Sequence, residues 1–498
     1  MISYGNMLWL IHMAALLGLV LYGMHRIWLL ILWKKIRQDS SNGFFLPEMD
    51  KDPRVTIQLP LYNERFVVKR LIDAASNLDW PKDCLEIQVL DDSSDETRAL
   101  VDERVLYWQG RGVDIKAIRR KDRNGFKAGA LAFGMASAKG EFIAVFDADF
   151  VPGKDFLRRT VSCFTDAKIG MVQCRWAFLN EEHSWLTRIQ GVLLSAHFRI
   201  EHHVRHQYGL CFNFNGTAGI WRKAVIVDAG GFQADTVTED LDISYRAQLK
   251  GWRFVYLDDY AVPSELPTTM AAFRTQQKRW TKGSIQTARK LLPLIFASKI
   301  MTPLAKLEAF AHLLSNTGWL LCMVLTLTLY PAVQINETVV SANLLQVELL
   351  LFLFSSGAVL LYFFIYAVTF EASSKWVLPL IPVLSIGMAP VLSLSVISGM
   401  LTKGGIFHRT PKYSVLGRSQ LPGLSLIYKE RSTGAMMINI PIFLYTLLPV
   451  WFLWQTQKLS VVFPLLFPLG FIWVILKDFQ DALTSRNDYI LNKKDHSP

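Results

Sequence analysis

The chain has 498 residues, 51% hydrophobic and only 19% charged, and its 53 basic against 42 acidic residues give a net charge of +11. A soluble protein carries nearer a quarter charged residues, and the apolar excess is concentrated in 305–400 and 435–476, which excludes both a disordered chain and a purely soluble one. The basic surplus reads as cytoplasmic loops facing anionic lipid rather than as nucleic-acid binding, because the sequence carries no DNA- or RNA-binding module.

In chain order, residues 7–33 form an apolar run that His25 and Arg26 interrupt near its end, long enough for one helix across a hydrocarbon core of about 30 Å. They lack the basic leader and small-residue cleavage site of a signal peptide. Lys34, Lys35 and Arg37 follow, which puts the N-terminus outside and the next segment in the cytoplasm. From residue 50, strand and helix signals alternate. VTIQLP (55–60), EIQVLDD (86–92), DIKAIRR (114–120) and EFIAVFDAD (141–149) are β-branched runs ending in polar residues, separated by helical patterns over 65–78 and 126–138. This pattern predicts an α/β domain with a Rossmann-like, mostly parallel sheet and ligands at the carboxyl ends of its strands. The five cysteines form no CxxC pair and no zinc spacing, so they are read as reduced packing residues.

The organisation expected is a transmembrane helix and basic linker over 1–49, the α/β domain over 50–263, and amphipathic interface helices over 264–300. Transmembrane helices fill 301–400, a cytoplasmic loop 401–434, and further transmembrane helices and a tail 435–498. The stretch 331–348 has no Lys or Arg, which suits the outside, whereas 401–433 carries six basic residues against Glu430 alone, which suits the cytoplasm. Pro379, Pro382 and Pro390 make 376–400 a re-entrant or interfacial segment on this reading, leaving five spans, with six as the rival.

Four clusters then stand in order: Asp91-Asp92, Asp147-Ala148-Asp149, Thr238-Glu239-Asp240 and Gln276-Gln277-Lys278-Arg279-Trp280. Each alone is weak. A D-x-D is often a solvated loop, but here it ends the apolar run FIAVF, where a carboxylate pair is costly unless it binds a cation. Gln276, Arg279 and Trp280 share one face of a helix. His197, His202, His203 and His206 are not read as a metal site, since no H-E-x-x-H accompanies them.

Together with PLYNE (60–64), RNGFKAGAL (123–131) and FNGTAGIWR (214–222), this ordered set resembles the family 2 membrane glycosyltransferases, which include cellulose, hyaluronan and chitin synthases. TEDLDISYR (238–246) and FHRTPK (407–412) are similar to the cellulose-synthase-like A and C enzymes, which make mannan, glucomannan or glucan backbones. The resemblance covers 50–290 in detail and the remainder in architecture.

It implies a nucleotide sugar as partner, with UDP-glucose or GDP-mannose favoured. Tyr62, Glu64, Asp91, Asp92, Arg123, Lys127 and Asp147 would line the donor site, with Arg279 on the leaving diphosphate. Mg²⁺ or Mn²⁺ would be held by Asp149 and Asp147. Asp240 would be the general base with Glu239 beside it, and Gly216, Thr217, Gln276, Arg279 and Trp280 would meet the acceptor. Phe407, Thr410 and Lys412 fit a gating loop of the pattern F-x-V-T-x-K, from which Arg409 departs.

The expected activity is inverting, metal-dependent, processive elongation of a β-linked polysaccharide, with export through the membrane domain. The alternative is single-sugar transfer to a membrane lipid, as ceramide glucosyltransferases perform. The expected location is the plasma (bacterial inner) membrane with the catalytic domain cytoplasmic. Membrane lipid, a growing polysaccharide and accessory export subunits are the partners, and nucleic acid is not.

Overall fold

The computed structural model describes residues 4–39, 51–339, 342–407, 409–410, 412–414, 433–456 and 461–495. Most of the basic stretch expected in the cytoplasmic loop, including Arg418, Lys429 and Arg431, lies outside the described residues.

Among the described residues seven strands form one sheet in the order β3-β2-β1-β4-β6-β5-β7, with β1 at Val55–Leu61, β2 at Leu85–Asp91, β3 at Asp114–Ile118, β4 at Phe142–Val145, β5 at Ile169–Phe178, β6 at Gly219–Arg222 and β7 at Arg253–Ser264. Every pairing is parallel except those of β6, which runs antiparallel to β4 and β5. The four expected strands thus form β1 to β4. Continuous apolar runs such as that of β4 are buried on both faces, as a helix-covered parallel sheet requires.

β1 pairs with β2 on one side and β4 on the other, so the chain leaves β1 in both directions across the sheet. A crevice opens at such a switch point above the carboxyl ends of the strands. Asp92 follows β2 there, and Asp147 and Asp149 follow β4.

Among the described residues six helices are long and apolar enough to cross a membrane: Gly5–Gln38, Pro303–Gln334, Val347–Phe370, Leu380–Leu401, Gly434–Gln455 and Val462–Leu483. Residues 376–400, expected to be re-entrant or interfacial, contain one continuous helix. Pro379 caps it, Pro382 falls in the first turn where its missing N–H has no partner to lose, and only Pro390 stands in the interior. This helix also differs from the other five. Sixty-seven per cent of its apolar window is buried, against 22–39% in the rest. Both of its ends meet the α/β side: Arg188 donates to Ser374 just before it, and Arg289 donates to the Thr402 carbonyl just after it at 2.8 Å.

The amphipathic stretch expected over 264–300 is the helix Met270–Ala297, capped by the Thr269 side chain. It ties the α/β domain to the C-terminal helix through Arg274, which donates to Asp478 at 2.6 Å. These side chains are 5% and 0% exposed, so neither charge has water to turn to.

A second buried network holds the N-terminal helix. Arg26 pairs with Glu201, while Arg205 donates to Glu201 at 3.1 Å and to Glu308 at 2.8 Å. Arg274→Ala should strand Asp478 and cost about 3–5 kcal/mol, whereas a Met and Leu replacement of both partners should recover most of that. Melting followed by tryptophan fluorescence in detergent checks this; a single variant as stable as the parent would contradict it.

Candidate active site

One cavity of about 140 Å³ lies over the carboxyl ends of the strands. Its wall includes Tyr62, Glu64, Asp92, Arg123, Lys127, Asp147, Asp149, Asp240, Gln276, Arg279, Trp280, Phe407, Thr410 and Lys412. Segments from residue 60 to 412 therefore converge on one space.

Asp91 and Asp92 are adjacent, yet the alternation of a strand end sends them to opposite sides. Asp92 faces the cavity, with its carboxylate held by Arg120 from Nε at 3.1 Å and from Nη2. Asp91, expected to assist in the donor site, is absent from the wall. It is buried against Arg119, which donates at 2.8 Å, and accepts the Ser93 N–H. Arg123 stacks over the Tyr62 ring, its guanidinium carbon 3.2 Å from the centroid.

The D-x-D carboxylates both hold ammonium groups. Lys127 Nζ lies 2.5 Å from Asp147, and Lys412 Nζ donates to Asp149 at 2.7 Å. The Glu265 N–H also donates to Asp149 at 3.1 Å. Two hard oxygen donors that already accept positive charge in this geometry fit a divalent cation. Among the described residues no group of three or more His, Cys, Asp or Glu side chains gathers in metal-binding geometry. The chain would thus supply two carboxylates and leave the remaining positions to phosphate oxygens and water, a common Mg²⁺ arrangement.

Asp240 sits in the first turn of the helix Glu239–Leu249, where its Oδ1 accepts the Leu241 N–H at 2.8 Å. Helix N-terminal N–H groups favour negative charge there. Burial pushes its carboxyl above the usual aspartate value and Asp147 adds to this, while Lys127 and Arg279 oppose it. Glu239 is raised to about 7, first by burial and then by Asp240. It lies 3.9 Å from Lys127 but is not part of the wall. Burial disfavours the Lys127 ammonium, but Asp147, Glu239 and Asp240 outweigh it and raise that group above its ordinary value.

Gly216 and Thr217, expected against the acceptor, support the carboxylates from behind the wall instead. The Gly216 carbonyl accepts from Lys127 at 2.9 Å, and Thr217 Oγ1 accepts the Asp147 N–H at 2.9 Å. Gly216 has φ +83°, and a Cβ there would lie 2.7 Å from Asp240 Oδ2, so only glycine fits.

Gln276, Arg279 and Trp280 do share one face of the helix Met270–Ala297 and line the cavity. Gln276 Oε1, Arg279 Nε and Thr410 Oγ1 are buried with no hydrogen-bond partner among the described residues. Such orphaned atoms are costly unless a ligand satisfies them. The Arg279 guanidinium lies 4.5 Å from the Phe407 ring centroid. His408 and Pro411 of FHRTPK lie outside the described residues.

Sequence reasoning missed the clamp on this loop. Arg409 donates to Glu64 twice, at 2.8 and 2.7 Å, and Arg70 pairs with Glu265, which also accepts the Ser414 N–H at 3.1 Å. Burial lifts the Glu64 carboxyl to about 7, with Arg409 pulling the other way.

A family model described as "Glycosyltransferase like family 2" matches residues 53–283. Residues 53–283 are a family 2 glycosyltransferase domain. "Probable glucomannan 4-beta-mannosyltransferase 11" of Oryza sativa subsp. japonica is 46% identical over 252 residues, covering 50% of this chain and 44% of that one. "Glucomannan 4-beta-mannosyltransferase 1" of the same organism is 40% identical over 301 residues, covering 57% of each. "Glucomannan 4-beta-mannosyltransferase 2" of Arabidopsis thaliana is 45% identical over 252 residues, covering 50% of this chain and 47% of that one. The chain spans about half the length of the curated relatives it matches. Among solved structures, the mannosyltransferase PcManGT from Pyrobaculum calidifontis, in complex with GDP-Man and Mn²⁺, shares the fold. Its TM-score is 0.52 at 19% identity, over 79% of this chain and 99% of that one.

The family 2 domain carries a testable electrostatic consequence. A transfer step that needs Asp240 ionised should lose rate on the acid side above the ordinary aspartate range of about 4, because burial raises this carboxyl. Lys127→Met removes a cation that favours the charged form, so the acid limb of the kcat–pH profile should move to higher pH. An unmoved limb at saturating donor would contradict this.

Proposed function

We propose that the chain is a processive, inverting glycosyltransferase that elongates a β-1,4-linked mannan-type polysaccharide from GDP-mannose, with UDP-glucose as the second donor. The observation that carries the reading is the convergence of the D-x-D pair, Asp240 and the Gln276-Arg279-Trp280 face on one cavity. The curated relatives, named as mannosyltransferases of glucomannan, favour mannose over glucose.

In this reading the nucleotide lies over the end of β1, with its base against Asp92 and Tyr62. Asp147 and Asp149 would hold Mg²⁺ or Mn²⁺. Once bound, the cation offsets charge on the departing diphosphate. Arg279 and Lys127 add positive charge on the same side, and Trp280 stacks on the acceptor's terminal sugar. Asp240 takes the proton from the acceptor hydroxyl as its oxygen attacks the anomeric carbon from the face opposite the diphosphate. The new C–O bond forms, the bond to the diphosphate breaks, and the anomeric configuration inverts. Lys412 and Arg409 close the loop over the donor.

Polymer rather than single-sugar transfer is favoured by a second cavity, of about 480 Å³, that continues from Asp240 and Trp280 into the helix bundle. Ser315, Asn316 and Trp319 line it, giving sugar hydroxyls polar partners that hydrocarbon lacks. Asn439 on the helix Gly434–Gln455 is not part of that wall; it is buried and donates to the Gly387 carbonyl at 3.3 Å. Purified protein given GDP-mannose and Mn²⁺ should make a long product that endo-mannanase degrades, and EDTA should stop synthesis. A lipid carrying one sugar would establish the alternative instead.

The reading also places five helices across the membrane, the domain on the cytoplasmic face, and Leu380–Leu401 along the interface beneath Met270–Ala297. The curated relatives reported above come from plants, so they lend no support to a bacterial inner membrane. Exposed Lys375 and Lys403 flank the helix. Cysteines at both positions should react with an impermeant maleimide from the same side of sealed vesicles. Labelling from opposite sides would make this helix a sixth span.

A further inference from the structure

Six residues line both cavities and so form the junction between them: Trp176, Leu194, Asn215, Asp240, Gln276 and Trp280. Given the function proposed above, on which this inference rests, the acceptor's terminal sugar must sit at that junction. Donor lies on one side and the exit route on the other. Asn215 is the polar member that belongs to none of the four motif clusters.

Its side chain is fixed by neighbours that the chemistry otherwise does not use. His202 Nε2 lies 2.7 Å from Asn215 Oδ1, and Asn213 Nδ2 donates to the same oxygen at 3.3 Å. The Asn215 N–H donates to Gln173 Oε1 at 2.9 Å. His202 is fully buried, and burial followed by the nearby Arg205 charge pushes its imidazole down to about 3. It is therefore neutral at physiological pH, and its N–H is committed to the amide oxygen. With Oδ1 engaged by two donors, the amide must present its NH₂ elsewhere, and Asn215 Nδ2 has no hydrogen-bond partner among the described residues. Asn215 is only half-buried, and the space it faces is the junction.

We propose that Asn215 is an acceptor-binding residue whose side-chain NH₂ donates to an oxygen of the acceptor's terminal sugar, and that His202 is the positioning residue that fixes this orientation. The donated hydrogen bond holds the sugar so that the neighbouring hydroxyl faces Asp240. A neutral imidazole suits the task. Its hydrogen bond locks which way the amide points without adding a charge beside the catalytic carboxylate.

The test uses the full-length protein in detergent with GDP-mannose as donor and a β-1,4-manno-oligosaccharide as acceptor. Asn215→Ala should raise the acceptor KM about 10-fold, the scale of one lost hydrogen bond to a bound ligand, with the donor KM unmoved. An unmoved donor KM also reports that the domain is folded. His202→Leu should give the same split, and His202→Gln, whose Nε2 can replace the imidazole Nε2 as donor, should restore much of the acceptor affinity. An acceptor KM unchanged in Asn215→Ala overturns the proposal. Equal losses in His202→Leu and His202→Gln overturn the positioning role and reduce His202 to packing. If the parent enzyme glycosylates a lipid and not the oligosaccharide, the polymer reading fails, and the same KM comparison with that lipid decides the role of Asn215.

Discussion

Charge compensation around one small, largely buried cavity governs this molecule. Six carboxylates and five basic side chains line one small cavity, and each buried charge needs a partner within hydrogen-bond reach to be tolerated. The partners come from far away in the chain. Lys127 reaches Asp147 from the helix after β3, and Lys412 reaches Asp149 from a loop that follows most of the apolar helices. Without ligand, these lysines stand where a donor and its cation would bring positive charge. On the function proposed above, the carboxylates that hold this loop are the ones a donor and its cation would compete for.

The sheet sets where this happens. Because β1 is flanked by β2 and β4, the polar ends of three parallel strands border one crevice, and each delivers a carboxylate to it. The helix Met270–Ala297 then closes the crevice on the side of the helix bundle. It offers Gln276, Arg279 and Trp280 from one face, while Arg274 fastens it to the C-terminal helix. One element therefore carries both these cavity-lining residues and the tie to the bundle, and it borders the catalytic-site candidate and the larger cavity alike.

Much of the site was legible in the sequence because its motifs carry their own geometry. A polar pair ending a β-branched run sits at a strand terminus, and a Gln-x-x-Arg-Trp pattern on a helix makes one face. Other features were not legible. Adjacent Asp91 and Asp92 look equivalent in sequence, yet the pleat turns one toward the cavity and the other toward Arg119. The Arg119-Arg120 pair at the end of β3 was the available signal for their partners, since two guanidinium groups at a strand end beside two aspartates invite pairing. Gly216 was expected against the acceptor, but the side chain that crowds it is Asp240.

The sequence by itself determined the alternation of strands and helices, the apolar segments and the order of the motif clusters, because these follow from local periodicity and composition. Only the tertiary structure decided which charges meet. Arg409 and Glu64 are 345 positions apart, and Arg70 and Glu265 are 195 apart. No local pattern encodes such pairings; they arise because burial forces each carboxylate to find a cation wherever the fold brings one. The helix Leu380–Leu401 makes the same point. Its prolines and apolar content are local facts, but the burial of its flanks and the contact of both ends with the α/β side come from packing against Met270–Ala297 and the C-terminal helix.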